Sequence, residues 1–199
     1  MPEFILEIGS VEHQRTFNAL DGFTRGYIEA LFFTDEEQLC EESDGEREMP
    51  SVAFNMATME SRFVGGNSFG FADLAPSALE SIIRDCEAFQ RDNAALLDSA
   101  YERDNYDSEQ AGRDFWFTRN GHGVGYWDRS QLENDSDEYE SLTAEMVAAS
   151  KSGDNAAWNA ALAKRDALKA ASLGEQLSNA ARKFSGRDSY VGSDGKVYL

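Results

Sequence analysis

Apolar residues recur along this chain at two spacings. Intervals of three and four predict helices, and aromatic or β-branched clusters between glycines predict strands. Phe4-Ile5-Leu6-Glu7-Ile8 reads as a short strand. From Phe17 to Phe33 the positions Leu20, Tyr27 and Leu31, with Phe23, Ile28 and Phe32 beside them, fit a helical face that Thr24 could cap in its later part. Asp35 to Glu48 breaks the pattern with eight acids and one Arg, and reads as an acidic loop ended by Met49-Pro50. Residues 51–72 read as irregular, with a turn at Gly65-Gly66-Asn67. Pro76 opens the clearest helix of this half, because a proline at the first helical position gives up an N–H that had no partner there. Leu79, Ile82, Ile83, Cys86, Phe89 and later Leu96 and Leu97 share one face, with Glu80, Arg84, Glu87 and Arg91 on the other. Asp98 to Asp114 reads as a second acidic loop with a helical turn near Ser108-Glu109-Gln110.

The strongest hairpin signal is Phe115-Trp116-Phe117-Thr118-Arg119, then Asn120-Gly121-His122-Gly123, then Val124-Gly125-Tyr126-Trp127. A second hairpin is expected at Tyr190-Val191, the turn Gly192-Ser193-Asp194-Gly195, and Lys196-Val197-Tyr198-Leu199. Between them lie two helices. Asp154 caps one that carries Trp158, Ala161, Leu162, Arg165 and Leu168, and Leu173, Leu177, Ala180, Ala181 and Phe184 mark the next. The expected fold is α+β: a single domain over residues 1–199, with a small antiparallel sheet of about four strands in two hairpins packed against several helices.

Charge changes this picture more than composition does. The first 150 residues hold 32 Asp and Glu against 10 Arg and no Lys, whereas the last 49 hold eight Lys and Arg against five acids. The whole chain of 199 residues carries a net −19. Such a charge repels nucleic-acid phosphates and anionic membranes, so direct nucleic-acid binding is not expected and a basic protein is the favoured partner. Acidity that serves only solubility or salt adaptation is the competing reading. An aromatic content of 12% supplies the large side chains of a core. No apolar run reaches the ~20 residues of a membrane span, and the N-terminus lacks the basic region of a signal peptide. Cys40 and Cys86 stand far apart in unlike settings, which suits reduced thiols and a cytoplasmic location.

The block from Asp114 through Asn120-Gly121-His122-Gly123 to Trp127-Asp128-Arg129 resembles a family of small, uncharacterised, acidic proteins encoded by tailed bacteriophages. Later blocks are also similar to it: Leu173-Gly174-Glu175-Gln176-Leu177 with Ala180, Ala181 and Phe184, and the closing Tyr190-Val191-Gly192-Ser193-Asp194-Gly195-Lys196-Val197-Tyr198. Arg25 to Phe32 and Asp85 to Phe89 look similar as well, so the resemblance covers about half of the chain in scattered blocks. In that family the first block runs almost directly into the second. Here residues 130–172 intervene, acidic at the start and lysine-bearing at the end, like an insertion that adds a helical hairpin. The resemblance implies a phage context and carries no activity with it.

For chemistry, His122 between glycines on a turn, with Asp128 and Arg129 nearby in sequence, forms the candidate catalytic or ligand site. The bland alternative is that the glycines serve turn geometry, that His122 hydrogen-bonds the turn, and that Trp116 and Trp127 are core. His13 lies far away in sequence, and nothing supports pairing His122 with Cys86. No phosphate-binding glycine loop occurs, and no closely spaced Cys/His pair suggests zinc. Asn134-Asp135-Ser136-Asp137-Glu138 lacks the glycine and final Glu of a calcium loop. No metal or cofactor is therefore expected. The Lys164-Arg165 and Arg182-Lys183 pairs are too sparse for a nucleic-acid patch.

The favoured expectation is a non-enzymatic acidic protein that binds a host protein. One version is a DNA mimic that occupies the basic cleft of a restriction, CRISPR or repair protein. The candidate partner-binding residues are Asp35, Glu36, Glu37, Glu41, Glu42 and Asp44 in the first acidic segment, and Glu133, Asp135, Asp137, Glu138 and Glu140 in the second. The alternatives are an enzyme or small-ligand protein using the His122 hairpin, and a virion or assembly component. Exposed aromatic residues would favour a homodimer.

Overall fold

A computed structural model describes residues 6–49, 51–55, 60–64, 66–133 and 136–199; for 51–55, 60–64 and 136 only the backbone is considered. The described residues are largely helical, with eight α-helices and two separate two-stranded hairpins. The α+β expectation of one four-stranded sheet is thereby corrected. The chain divides into two compact units, Met1–Ala88 with Gly186–Leu199, and Phe89–Ser185.

In the first unit, α1 spans Val11–Ala19 and α2 spans Gly22–Glu42. Ser10 caps α1: its hydroxyl accepts from the His13 N–H at 3.3 Å, and the His13 ring answers by approaching the Ser10 N–H at 3.4 Å. His13 is thus a capping residue. Asp21, rather than Thr24, caps α2; its carboxylate accepts from the Thr24 N–H at 3.0 Å and from the Thr24 hydroxyl at 2.7 Å. The first half of α2 presents a broad apolar face, on which Phe23, Tyr27, Ile28, Leu31 and Phe32 are all fully buried. This helix takes in Asp35 to Glu42, the first part of the segment read as an acidic loop, and residues 43–48 form the turn and coil that follow it. Leu39 and Cys40 carry its inner face onward, and the acids other than the buried Asp35 occupy its other faces.

Strands β1 (Ser51–Asn55) and β2 (Glu60–Val64) pair antiparallel in a stretch read as irregular. Helix α3 spans Pro76–Asp92, and the division between the units falls inside it. Strands β3 (Tyr190–Val191) and β4 (Val197–Tyr198) form the expected terminal hairpin. Its turn is closed by Gly192 N–H to Lys196 C=O at 2.8 Å, and Tyr190 stacks on Tyr198 at 5.6 Å. Leu6-Glu7-Ile8 is not a strand: Glu7 offers its carbonyl to the Phe71 N–H at 2.9 Å without a ladder, and Phe4 and Ile5 lie outside the described residues.

In the second unit, α4 covers Ala94–Tyr101, α5 Ser108–Asn120, α6 Ser136–Ser152, α7 Asn155–Ala170 and α8 Leu173–Ala181. The expected central hairpin is instead the C-terminal half of α5 and the turn that follows it. Asp107 caps α5 by accepting from the Gln110 N–H at 2.8 Å, and Gly121 ends it with φ +73°. An Asn-Gly pair supplies the same left-handed backbone to a tight hairpin and to a helix C-terminus, so the local signal fits both. Burial decides between them. Phe115, Trp116 and Phe117 are all buried, which suits a helix sunk in a core better than a strand with one wet face. Phe89 stacks on Phe115 at 4.2 Å and on Tyr126 at 5.8 Å, and Phe184 meets both Phe89 and Phe115 edge-on. Asp154 caps α7 through the Ala156 and Ala157 N–H groups, as the sequence suggested. The α6 and α7 helices pack together as a hairpin within residues 130–172.

Candidate functional site

The Asp114–Arg129 block is held together by its own polar ends. Asp114 is fully buried, and its carboxylate accepts from Tyr106 Oη at 2.9 Å, Gln110 Nε2 at 3.0 Å, and Arg129 Nε at 2.9 and 3.0 Å. The Arg129 Nη2 group closes a second contact to the same carboxylate. Burial pushes the Asp114 carboxyl upward while the donors from Arg129, Tyr106 and Gln110 pull against it. Burial works against the charge of Arg129, but its hydrogen bonds and attraction to Asp114 prevail and raise its pKa. Burial also pushes the Tyr106 phenol far up, with Asp114 adding to the effect.

The turn between these ends is built with equal economy. The Thr118 hydroxyl accepts from the Tyr126 N–H at 3.1 Å, and Tyr126 Oη donates to the Ala111 carbonyl at 2.8 Å. Gly125 sits at φ +144°, where a Cβ would lie 2.1 Å from Thr118 Oγ1. Gly174 at the start of α8 lies so close to the Tyr126 carbonyl that a Cβ there would come within 2.6 Å of it. Arg119 donates to the Ser185 carbonyl at 3.0 and 2.6 Å while its guanidinium lies over Phe115 and Phe184. Asp114, Thr118, Arg119 and Tyr126 therefore have structural work, and Arg129 is committed to Asp114.

His122 is exposed at the turn, its ring 6.0 Å from Trp116 and 6.2 Å from Phe117. These aromatic neighbours shape its surroundings but neither fix a tautomer nor relay a proton. Among the described residues, no group of three or more His, Cys, Asp and Glu is arranged to hold a metal ion. Cys40 and Cys86 are both buried free thiols. Burial pushes the Cys40 thiol up, and Glu36 adds to this.

The acidic candidates separate by environment. Asp35 is buried, and its carboxylate accepts from the Ser189 hydroxyl at 2.6 Å and the Thr34 hydroxyl at 2.7 Å, so it is withdrawn from the surface set. Glu36 is half-buried, and Glu37, Glu41, Glu42 and Asp44 are exposed. Glu42 also accepts from the Val191 N–H at 2.9 Å, tying α2 to β3. In the second unit, Glu133, Asp137, Glu138 and Glu140 are exposed, and Asp135 lies outside the described residues. Asp137 and Glu138 stand in the first turn of α6, where a carboxylate also favours the helix N-terminus.

Two of these acids, Glu133 and Glu140, join Asp128 and several residues that the sequence did not single out. Asp128, Glu133, Glu140 and Glu175 line a cleft of about 410 Å³ with Trp127, Tyr139, Leu168, Lys169 and Ser172. Trp127 and Tyr139 are 40% and 41% exposed, unusual for large aromatic side chains beside four carboxylates and a single lysine. Glu175 is shared with Arg182 at 3.4 Å, and the Arg165 guanidinium lies 5.8 Å from the Tyr139 ring centre. The arrangement suits a cation: carboxylates supply charge and the aromatic faces supply cation–π attraction. Sequence could offer Asp128, Glu133 and Glu140 but not this grouping, which brings the turn after α5 beside α6, α7 and the start of α8. Comparison with known proteins finds no matching family model, no matching curated protein and no matching solved structure.

Proposed function

We propose that this chain is a non-enzymatic acidic protein that binds a basic protein, with lysine or arginine side chains of that partner entering the Trp127–Tyr139 cleft. The observation that carries the reading is the placement of Asp128, Glu133 and Glu140 beside two half-exposed aromatic rings. The net charge of −19 adds long-range steering toward a basic surface. The exposed Glu37, Glu41, Glu42 and Asp44 provide a second acidic surface in the other unit. A natural target for such a surface is a protein that ordinarily holds DNA or RNA, so that binding competes with the nucleic acid as a DNA mimic does. The resemblance of the Asp114–Arg129, Leu173–Phe184 and Tyr190–Tyr198 blocks to tailed-phage proteins supports a bacterial host as the setting, and a restriction, CRISPR or repair protein as the class of target.

The test is a fluorescence titration with an arginine-rich peptide, comparing two variants of equal charge change. Asp128→Asn/Glu133→Gln alters the cleft, whereas Glu102→Gln/Asp104→Asn alters exposed acids elsewhere in the same unit. The cleft variant is expected to weaken binding about tenfold, by loss of about 1.4 kcal/mol, and the control about twofold or less. Equal weakening would reduce the interaction to net charge and overturn the cleft. For mimicry, proteins captured from a bacterial lysate should be released by duplex DNA; capture that DNA does not reverse argues against it.

A further inference from the structure

The α6–α7 hairpin buries one side of α6 and leaves another side exposed, with Tyr139 at its edge under the Arg165 guanidinium of α7. Leu142, Met146 and Ala149 are buried, whereas Tyr139 and Val147 are 41% and 49% exposed. Thr143, Ala144 and Ala148 continue the exposed side, and together these residues line a shallow groove closed by Glu140 at one end and Lys151 at the other. From Glu140 through Ala144 and Val147 to Lys151 the steps are four, three and four. That spacing reads the same in both directions, and the charges at its ends are opposite.

We propose that this face is a self-association surface, on which α6 pairs antiparallel with α6 of a second copy about a two-fold axis. In an isologous contact each surface meets itself reversed. Reversal sets Glu140 of one copy against Lys151 of the other at both ends of the seam, and Ala144 against Val147 between them, so small faces large. A parallel arrangement would set Glu140 against Glu140 and Lys151 against Lys151. Charge does not oppose this contact strongly. Residues 136–170 hold six acids and four basic residues within a chain of net −19, so two copies meet less repulsion there than at the strongly acidic residues 1–135. The seam is about three helical turns long, smaller than a standard interface, which makes the dimer weak. Tyr139 and Glu140 also line the cleft described above, so dimerisation and occupancy of that cleft are linked, each altering the other.

The test uses the full chain alone, so its outcome is independent of any basic partner. Sedimentation equilibrium of the wild type should show a monomer–dimer equilibrium with a dissociation constant on the order of 10 µM. Lys151→Glu and Glu140→Lys should each weaken it at least about tenfold, and the double exchange should restore it to within about threefold of wild type. Far-ultraviolet circular dichroism checks that each variant remains helical. A wild type that stays monomeric at about 200 µM, a concentration well above that constant, overturns the proposal. So does a double exchange as weak as the single variants.

Discussion

Replacing Asp114 by Asn keeps the shape of the side chain and removes its charge. The wild-type carboxylate is fully buried and accepts from Arg129, Tyr106 and Gln110. The amide retains one acceptor oxygen and turns a donor toward groups that are themselves donors. Breaking a buried ion pair by removing one partner costs about 3–5 kcal/mol. The Arg129 side chain keeps 22% exposure, so water can reach part of the orphaned guanidinium, which places Asp114→Asn near the lower end, about 3 kcal/mol. Arg129→Met leaves the carboxylate buried with only the neutral donors and should cost about 4 kcal/mol at neutral pH. The double variant removes both charges and should cost at least about 2 kcal/mol less than the two single losses combined. Urea denaturation of the four proteins measures this. Losses additive to within about 0.5 kcal/mol, or Asp114→Asn below about 1 kcal/mol, would refute the reasoning. The pH dependence supplies an independent check on the sign. In Arg129→Met, burial acts on Asp114 against the Tyr106 and Gln110 hydrogen bonds alone and raises its folded pKa above the unfolded value of about 3.9. That variant should be most stable below the unfolded value and lose stability as pH rises through the folded one.

The phenols give a second pH-dependent outcome. Burial raises Tyr106, and the hydrogen bond to Asp194, 3.0 Å away, raises Tyr198. The stability that each neutral phenol contributes is present below the ordinary value of about 10 and is lost above it. Phenolate absorbance of Tyr106 should appear only as the protein unfolds in alkali, and Asp194→Asn should bring the Tyr198 titration down; a Tyr106 phenol titrating in the folded protein near 10 would contradict this. Gly125→Ala, with φ +144° and a Cβ 2.1 Å from Thr118 Oγ1, should lower stability by about 3 kcal/mol, against about 1 kcal/mol for Gly121→Ala, which meets nothing. Equal losses in thermal unfolding would show that the close contact relaxes. Cys40 and Cys86 should react with a disulfide reagent at mildly alkaline pH only after denaturant is added, since both are buried and burial raises the Cys40 thiol. Fast labelling of the native protein would place at least one of them at the surface.

Helix signals with several local features pointing the same way were legible in the chain. Pro76 opens α3, Asp154 caps α7, and the four residues Gly192 to Gly195 turn the last hairpin, because each depends on backbone rules that act within a few residues. The acidic stretch 35–42 misled because its charges hide a helical face whose apolar members are Leu39 and Cys40. The aromatic block misled for a different reason: Phe115-Trp116-Phe117 favours a strand by propensity, and Asn120-Gly121 serves either a hairpin or a helix end.

What the sequence determined by itself is the charge distribution, the caps and turns, and the residue types available to a core. What only the tertiary structure decided is how they are used. The Phe89–Phe115–Tyr126 stack makes α5 a buried helix. The fifteen-residue reach from Asp114 to Arg129 gives two site candidates different fates, Arg129 being bound to Asp114 and Asp128 exposed at the cleft. Convergence of Trp127, Tyr139, Glu140 and Glu175 from separate elements creates the cleft itself. Local propensities act over a few residues and leave such choices nearly balanced, and long-range burial of aromatic surface, worth about 25 cal/mol per Å², tips them.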